Sequence, residues 1–155
     1  MKYDDASWHC GGNVPEGLSP DAGATHTGMF VAWCMLNGLG GSLHTVEFPE
    51  LLAELREKKM SPGEYFIEAC TGKFTDEDLT PEGNAFTGSY FDLSRGKYLS
   101  DYRELFCTNG MSEYAVPDTW DSFDRLAPVI SSRFEDWKKN GHPKPRPRPW
   151  WRFGL

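Results

Sequence analysis

Four histidines and four cysteines are the residues of this 155-residue chain best suited to hold a metal or attack a substrate, and their spacing keeps them apart. A metal site needs several His, Cys or carboxylate ligands to converge, usually from short sequence intervals. His9 and Cys10 are the nearest pair, but adjacent side chains on an extended segment point to opposite sides, and His26 and His44 are distant from both. The spacing therefore predicts no metal site and no cofactor. Cys10, followed by Gly11 and Gly12, is the cysteine best placed to be an exposed nucleophile, yet no family signature surrounds it. Carboxylates are paired in Asp4-Asp5 and in Asp76-Glu77-Asp78. General acid–base work requires surroundings that drive two pKa values apart, and the second run reads most simply as a solvated turn. Gly38-Leu39-Gly40-Gly41 closes a helix and lacks the lysine and hydroxyl of a phosphate loop. No residue is assigned a catalytic role.

The elements that must carry these residues are helices. Ala24 to Leu39 reads as the core helix, because Met29, Phe30, Val31, Trp33, Cys34, Met35 and Leu36 wrap almost all round it. A second helix starts near Phe48-Pro49 and ends at Lys58 and Lys59, with acids early and lysines late. Ser61-Pro62 with Glu64 three residues on forms a capping box for a third, which Gly72 ends. Thr80-Pro81-Glu82-Gly83 opens a fourth, and Lys97 to Cys107 carries apolar residues at helical spacing. From Thr119, residues Trp120, Phe123, Leu126, Ile130, Phe134 and Trp137 recur at threes and fours, with Pro128 expected to kink the helix. Leu43 to Glu47 could form a short strand. The expected fold is mainly α: a compact bundle of five or six helices with an N-terminal loop over Met1 to Gly23 and an extended Pro-rich C-terminal strap. Residues 1–141 form a single domain, and 142–155 form a basic Pro/Trp-rich tail docked on it.

Composition bounds the partners. Aromatic residues reach 14% against 39% apolar overall, so a few large rings must build the core. Of 16 basic residues against 23 acidic ones, four basic residues lie beyond His142, which leaves the body at a net −11. Such a body repels nucleic acid and anionic lipid and attracts basic protein surfaces. In the tail, Lys144, Arg146, Arg148 and Arg152 interleave with prolines and with Trp150, Trp151 and Phe153, which are expected to anchor the strap in a groove. The N-terminus has no signal-like apolar run, and Met29 to Leu36, the longest apolar stretch, cannot span a bilayer. The scattered cysteines read as reduced thiols, and a cytoplasmic location is expected.

Lys2-Tyr3-Asp4-Asp5-Ala6-Ser7-Trp8-His9, followed by Ala24-Thr25-His26-Thr27-Gly28-Met29-Phe30-Val31-Ala32-Trp33, resembles a family of short uncharacterised bacterial proteins. The resemblance covers about the first forty residues most closely. It implies an immunity or accessory protein of a toxin system, and it brings no catalytic residues. The residue after His9 is often aromatic in that family and is Cys10 here, which argues against a fixed functional pair at that point.

The leading expectation is thus an immunity-type protein, not an enzyme, that occludes a basic toxin through an acidic, aromatic surface. Its partner-binding residues would be Asp4, Asp5, Trp8, His9, Asp76, Glu77 and Asp78. A competing expectation is a small enzyme of unrecognised type, with His9, His26, Asp4 and Asp5 gathered where the N-terminal loop meets the first helix. A third is a scaffold that presents Pro143 to Pro149 to a groove in another protein.

Overall fold

The computed structural model describes residues 1–9, 17–92 and 95–142. The expected tail anchors Trp150, Trp151 and Phe153, and Cys10, lie outside these residues. The described residues form six α-helices, short helical turns and one two-stranded sheet, so the fold is mainly α. The helices are α1 (Thr25–Leu36), α2 (Pro49–Arg56), α3 (Pro62–Cys70), α4 (Pro81–Tyr90), α5 (Tyr98–Phe106) and α6 (Trp120–Lys139). No helix among the described residues is long and apolar enough to cross a membrane.

Helix α1 is the axis of the core, and Leu36 is its one exposed residue. The Phe30 ring has Phe74, Phe91 and Tyr98 with centroids 4.9 to 6.0 Å away, and Phe86 and Tyr90 slightly farther. Offset and edge-on arrangements of this kind add to the burial of large apolar areas. Helices α1 and α3 approach closely, and glycine is what lets them. A Cβ on Gly28 would stand 2.8 Å from the Gly63 Cα and the Pro62 carbonyl oxygen, closer than packed atoms approach.

Local signals set the helix ends. Ser61, Thr80 and Thr119 each accept a backbone N–H three residues on, which satisfies one of the amides that a helix start leaves unpaired. Asp118 reinforces the start of α3, accepting from the Gly63 amide at 2.8 Å. Helix α6 runs through the exposed Pro128, and Phe123, Leu126, Ile130, Phe134 and Trp137 form its buried stripe. Arg133 on α6 grips Asp101 on α5 with two hydrogen bonds of 2.9 and 2.8 Å.

Two segments depart from the sequence reading. The expected N-terminal loop contains a strand, β1 (Lys2–Asp5), which pairs antiparallel with β2 (Lys73–Thr75). The register shifts between Lys2 and Asp4, which places an extra residue opposite one partner and turns the strand. Leu43–Glu47 forms a π-helical turn instead of a short strand, with His44 fully buried inside it. No period-two pattern marks β1, because a strand of four residues in a two-stranded ribbon is too short to show alternation.

Candidate functional site

The first cluster is assembled by the hook that follows β1. Asp5 Oδ1 accepts from the Ser7 amide at 2.9 Å and the Ser7 hydroxyl at 2.7 Å, while Lys2 Nζ reaches Asp5 Oδ2 at 2.9 Å. This local side-chain turn reverses the chain into the helical turn Ala6–His9 and returns His9 to Asp4. Gly23 gives the hook room, since a Cβ there would lie 2.8 Å from His9 Cβ. From below, α1 contributes His26 and Thr27 from its buried first turn.

Asp4, fully buried, is the centre of this arrangement. His9 Nε2 lies 2.8 and 3.0 Å from its two oxygens, and the Thr27 hydroxyl donates to Oδ2. A carboxylate only accepts, so His9 Nε2 carries the proton of that bond and Nδ1, 2.9 Å from the Tyr114 hydroxyl, accepts when the ring is neutral. Burial works against a charge on Asp4, yet the contacts from His26, His9 and Thr27 outweigh it and hold the carboxyl well below its ordinary range. His26 is 2% exposed, with Nε2 3.5 Å from Asp4 Oδ2 and Nδ1 buried without a hydrogen-bond partner among the described residues. Its ring meets that of His9 edge-on with centroids 4.5 Å apart. Tyr114 lines two clefts, one of about 320 Å³ with Thr25 and Asp118 and one of about 520 Å³ with Arg103 and Glu113. Its hydroxyl is pushed above its ordinary pKa by burial and by the nearby carboxylates of Glu113 and Asp4.

Asp4, His9 and His26 offer ligand atoms that all lie within 4.8 Å of one another. Bonds of about 2.0–2.1 Å to a tetrahedral ion place ligand atoms a little over 3 Å apart. The 3.5 Å gap between His26 Nε2 and Asp4 Oδ2 is long for a hydrogen bond and close to such an edge.

The second cluster repeats the motif elsewhere. His44 Nε2 lies 2.8 Å from Asp78 Oδ1, and the Tyr65 hydroxyl is 2.6 Å from His44 Nδ1. Cys70 Sγ completes it, 3.9 Å from the same His44 Nε2. Asp78 is fixed by a capping box: its Oδ2 accepts the Thr75 amide at 2.9 Å at the start of the helical turn Asp76–Asp78. Here too a histidine, a cysteine and an aspartate present ligand atoms within 4.8 Å.

The expected sites are thus partly rearranged. Asp4, Asp5 and Asp78 turn inward to hydrogen-bonded partners and do not contribute to an acidic surface, because a buried carboxylate with several donors is better held than one left partnerless. Asp76 is exposed and pairs with the N-terminal amine at 2.9 Å, Glu77 is exposed, and Trp8 is 58% exposed. His9 and His26 meet at Asp4 as the competing expectation had them, whereas Asp5 stands aside with Lys2 and Ser7. His44, Cys70 and Tyr65 were not singled out. The one signal for their cluster was the Thr75-to-Asp78 capping spacing, since His44 lay in a segment read as strand.

Fold and site together define a mainly α domain built round two buried carboxylate–histidine clusters, each with a tyrosine on the far ring nitrogen. The chain belongs to the family described as domain of unknown function DUF7832, whose model matches residues 2–116 and so contains both clusters. No curated protein and no solved structure matches it.

Proposed function

We propose that the protein binds a divalent transition-metal ion through Asp4, His9 and His26 and works as a small metal-dependent enzyme of the hydrolytic class. The observation that carries this reading is convergence: the buried Asp4 and His26 and the part-buried His9 present ligand atoms within 4.8 Å of one another, with His26 Nε2 turned to Asp4 at 3.5 Å. Two histidines and one carboxylate are a ligand set used by catalytic zinc and non-haem iron sites, which keep a position open for water or substrate. An ion held so would lower the pKa of its bound water and supply a nucleophile at neutral pH. Thr27 stands behind Asp4 and Tyr114 behind His9, in the places from which outer hydrogen bonds orient ligands. Calorimetric titration of metal-stripped protein with Zn²⁺ and Mn²⁺, in a Cys70→Ser background, tests the site. One ion per chain, lost in a folded His26→Gln variant, is expected, and unchanged binding in that variant would overturn the assignment.

A second reading, an immunity-type protein that occludes a basic toxin, draws on a different observation. Trp8 stands out from the hook with Lys2 Nζ 5.5 Å over its ring, and Asp76 and Glu77 are exposed. An exposed tryptophan with carboxylates on an acidic body suits a basic protein surface. Retention of a basic protein from host lysate, released by salt and weakened by Trp8→Ala, would support it. Retention unaffected by Trp8→Ala and Glu77→Lys would remove this surface from consideration.

A further inference from the structure

We infer that His44, Cys70 and Asp78 form a second, chemically distinct metal site, one for a thiophilic divalent ion of the zinc class. The three donors come from three elements that the core brings together: the π-helical turn, the C-terminal end of α3, and the capped turn after β2. His44 Nε2 is 2.8 Å from Asp78 Oδ1 and 3.9 Å from Cys70 Sγ, and bonds of about 2.3 Å to sulfur and 2.0–2.1 Å to nitrogen bring a metal within reach of all three after small shifts.

Two features beyond convergence point the same way. His44 Nδ1 is already occupied by the Tyr65 hydroxyl at 2.6 Å, and Asp78 Oδ2 by the Thr75 amide at 2.9 Å. Two of the three ligands, His44 and Asp78, therefore have the far side held and the near side turned to the common point, as outer hydrogen bonds hold metal ligands. Charge balance also suits burial. A thiolate and a carboxylate together neutralise a divalent ion, so the filled site carries no net charge into the interior, where an uncompensated charge is costly. Cys70 and Asp78 also line a cleft of about 340 Å³, together with Leu43, Phe48 and Leu51.

The same atoms do not suit a cysteine nucleophile. A Cys–His–Asp relay needs thiol and carboxylate on opposite ring nitrogens, with the carboxylate orienting the base. Here both contact Nε2, and Nδ1 is taken by Tyr65. Burial, then the Asp78 carboxylate, push the Cys70 thiol well above its ordinary pKa, the opposite of what an activated nucleophile requires.

Cobalt(II) separates this site from the one formed by Asp4, His9 and His26, because only a thiolate ligand gives the near-ultraviolet sulfur-to-cobalt charge-transfer band. Metal-stripped protein titrated with Co²⁺ is expected to show that band in the wild type and in His26→Gln, and to lose it in Cys70→Ser. Tyr65→Phe, which keeps the thiol, should weaken the affinity read from the band by about 10–100-fold. Circular dichroism of each stripped variant guards against loss of fold, and Cys70→Ala serves in place of Cys70→Ser should the latter unfold. Absence of the band in the wild type, or its survival in a folded Cys70→Ser, would overturn the inference. Cobalt bound without the band would leave the Asp4 site standing and this one refuted, whereas the band with only one ion bound would do the reverse.

Discussion

The two clusters are built alike and placed differently. Each sets an aspartate on Nε2 of a histidine and a tyrosine hydroxyl on Nδ1. Around Asp4 the third group is a second imidazole, supplied by α1 itself, while Asp4 and the part-exposed His9 come from the strand and hook laid against that helix. Around His44 the third group is a thiol, the ring is fully buried, and three internal segments meet on it. The difference teaches that one hydrogen-bonded pair can be a clasp or a site according to what stands beside it. The His44 group fastens the π-helical turn to α3 and to the turn after β2, whereas the Asp4 group fastens the hook to the start of α1 and to Tyr114.

That contrast makes His44→Ala the most damaging single change. Without metal, it strands the Asp78 carboxylate and the Tyr65 hydroxyl in the interior, at a cost on the order of 3 kcal/mol. His9→Ala, which leaves Asp4 its contacts with Thr27 and His26, should cost about 1 kcal/mol. Urea unfolding in chelator measures both, and an equal or reversed ranking would break the comparison. Next comes Gly28→Ala, which forces a Cβ into the α1–α3 seam that joins the two clusters, with about 2 kcal/mol of overpacking. It should weaken both metal affinities together, and loss at one site alone would show the clusters to be mechanically separate.

Acid should act through the Asp4 cluster in a defined direction. The folded pKa of Asp4 lies below its unfolded value, so its stabilising contribution is present above about pH 4 and is lost as pH falls toward the folded pKa. In chelator, Asp4→Asn should flatten the acid limb of stability against pH. An unchanged limb would place the acid sensitivity on other carboxylates, such as Asp5, which Lys2 and Ser7 hold down at about 2. The smallest expected effect is Trp8→Ala, within about 0.5 kcal/mol by thermal unfolding, because the ring is 58% exposed. A larger loss would mean that the hook, and with it His9, depends on that ring.

Much of the fold was legible because its signals are local. Ser61, Thr80 and Thr119 act three residues ahead of themselves, and the stripe from Phe123 to Trp137 repeats within one helix. The gathering of His9 and His26 with Asp4 was readable in outline, since only four residues lie between Asp4 and His9 and the loop leads into the first helix. β1 was not, because its partner is Lys73–Thr75 and a four-residue ribbon carries no period of its own. The acidic surface was overdrawn for a similar reason: composition counts Asp4, Asp5 and Asp78 as charges but cannot say that donors wait for them inside.

What the sequence alone determined is the helical class, the capped helix starts at Ser61, Thr80 and Thr119 and the burial of α1, all of which follow from propensity, caps and apolar spacing over a few residues. Only the tertiary structure decided that residues 4, 9 and 26, and residues 44, 70 and 78, become two sites. The physical reason is that a buried polar group is stable only where its partners converge in space. That convergence is set by how α1, α3 and the sheet pack, through contacts no sequence interval encodes.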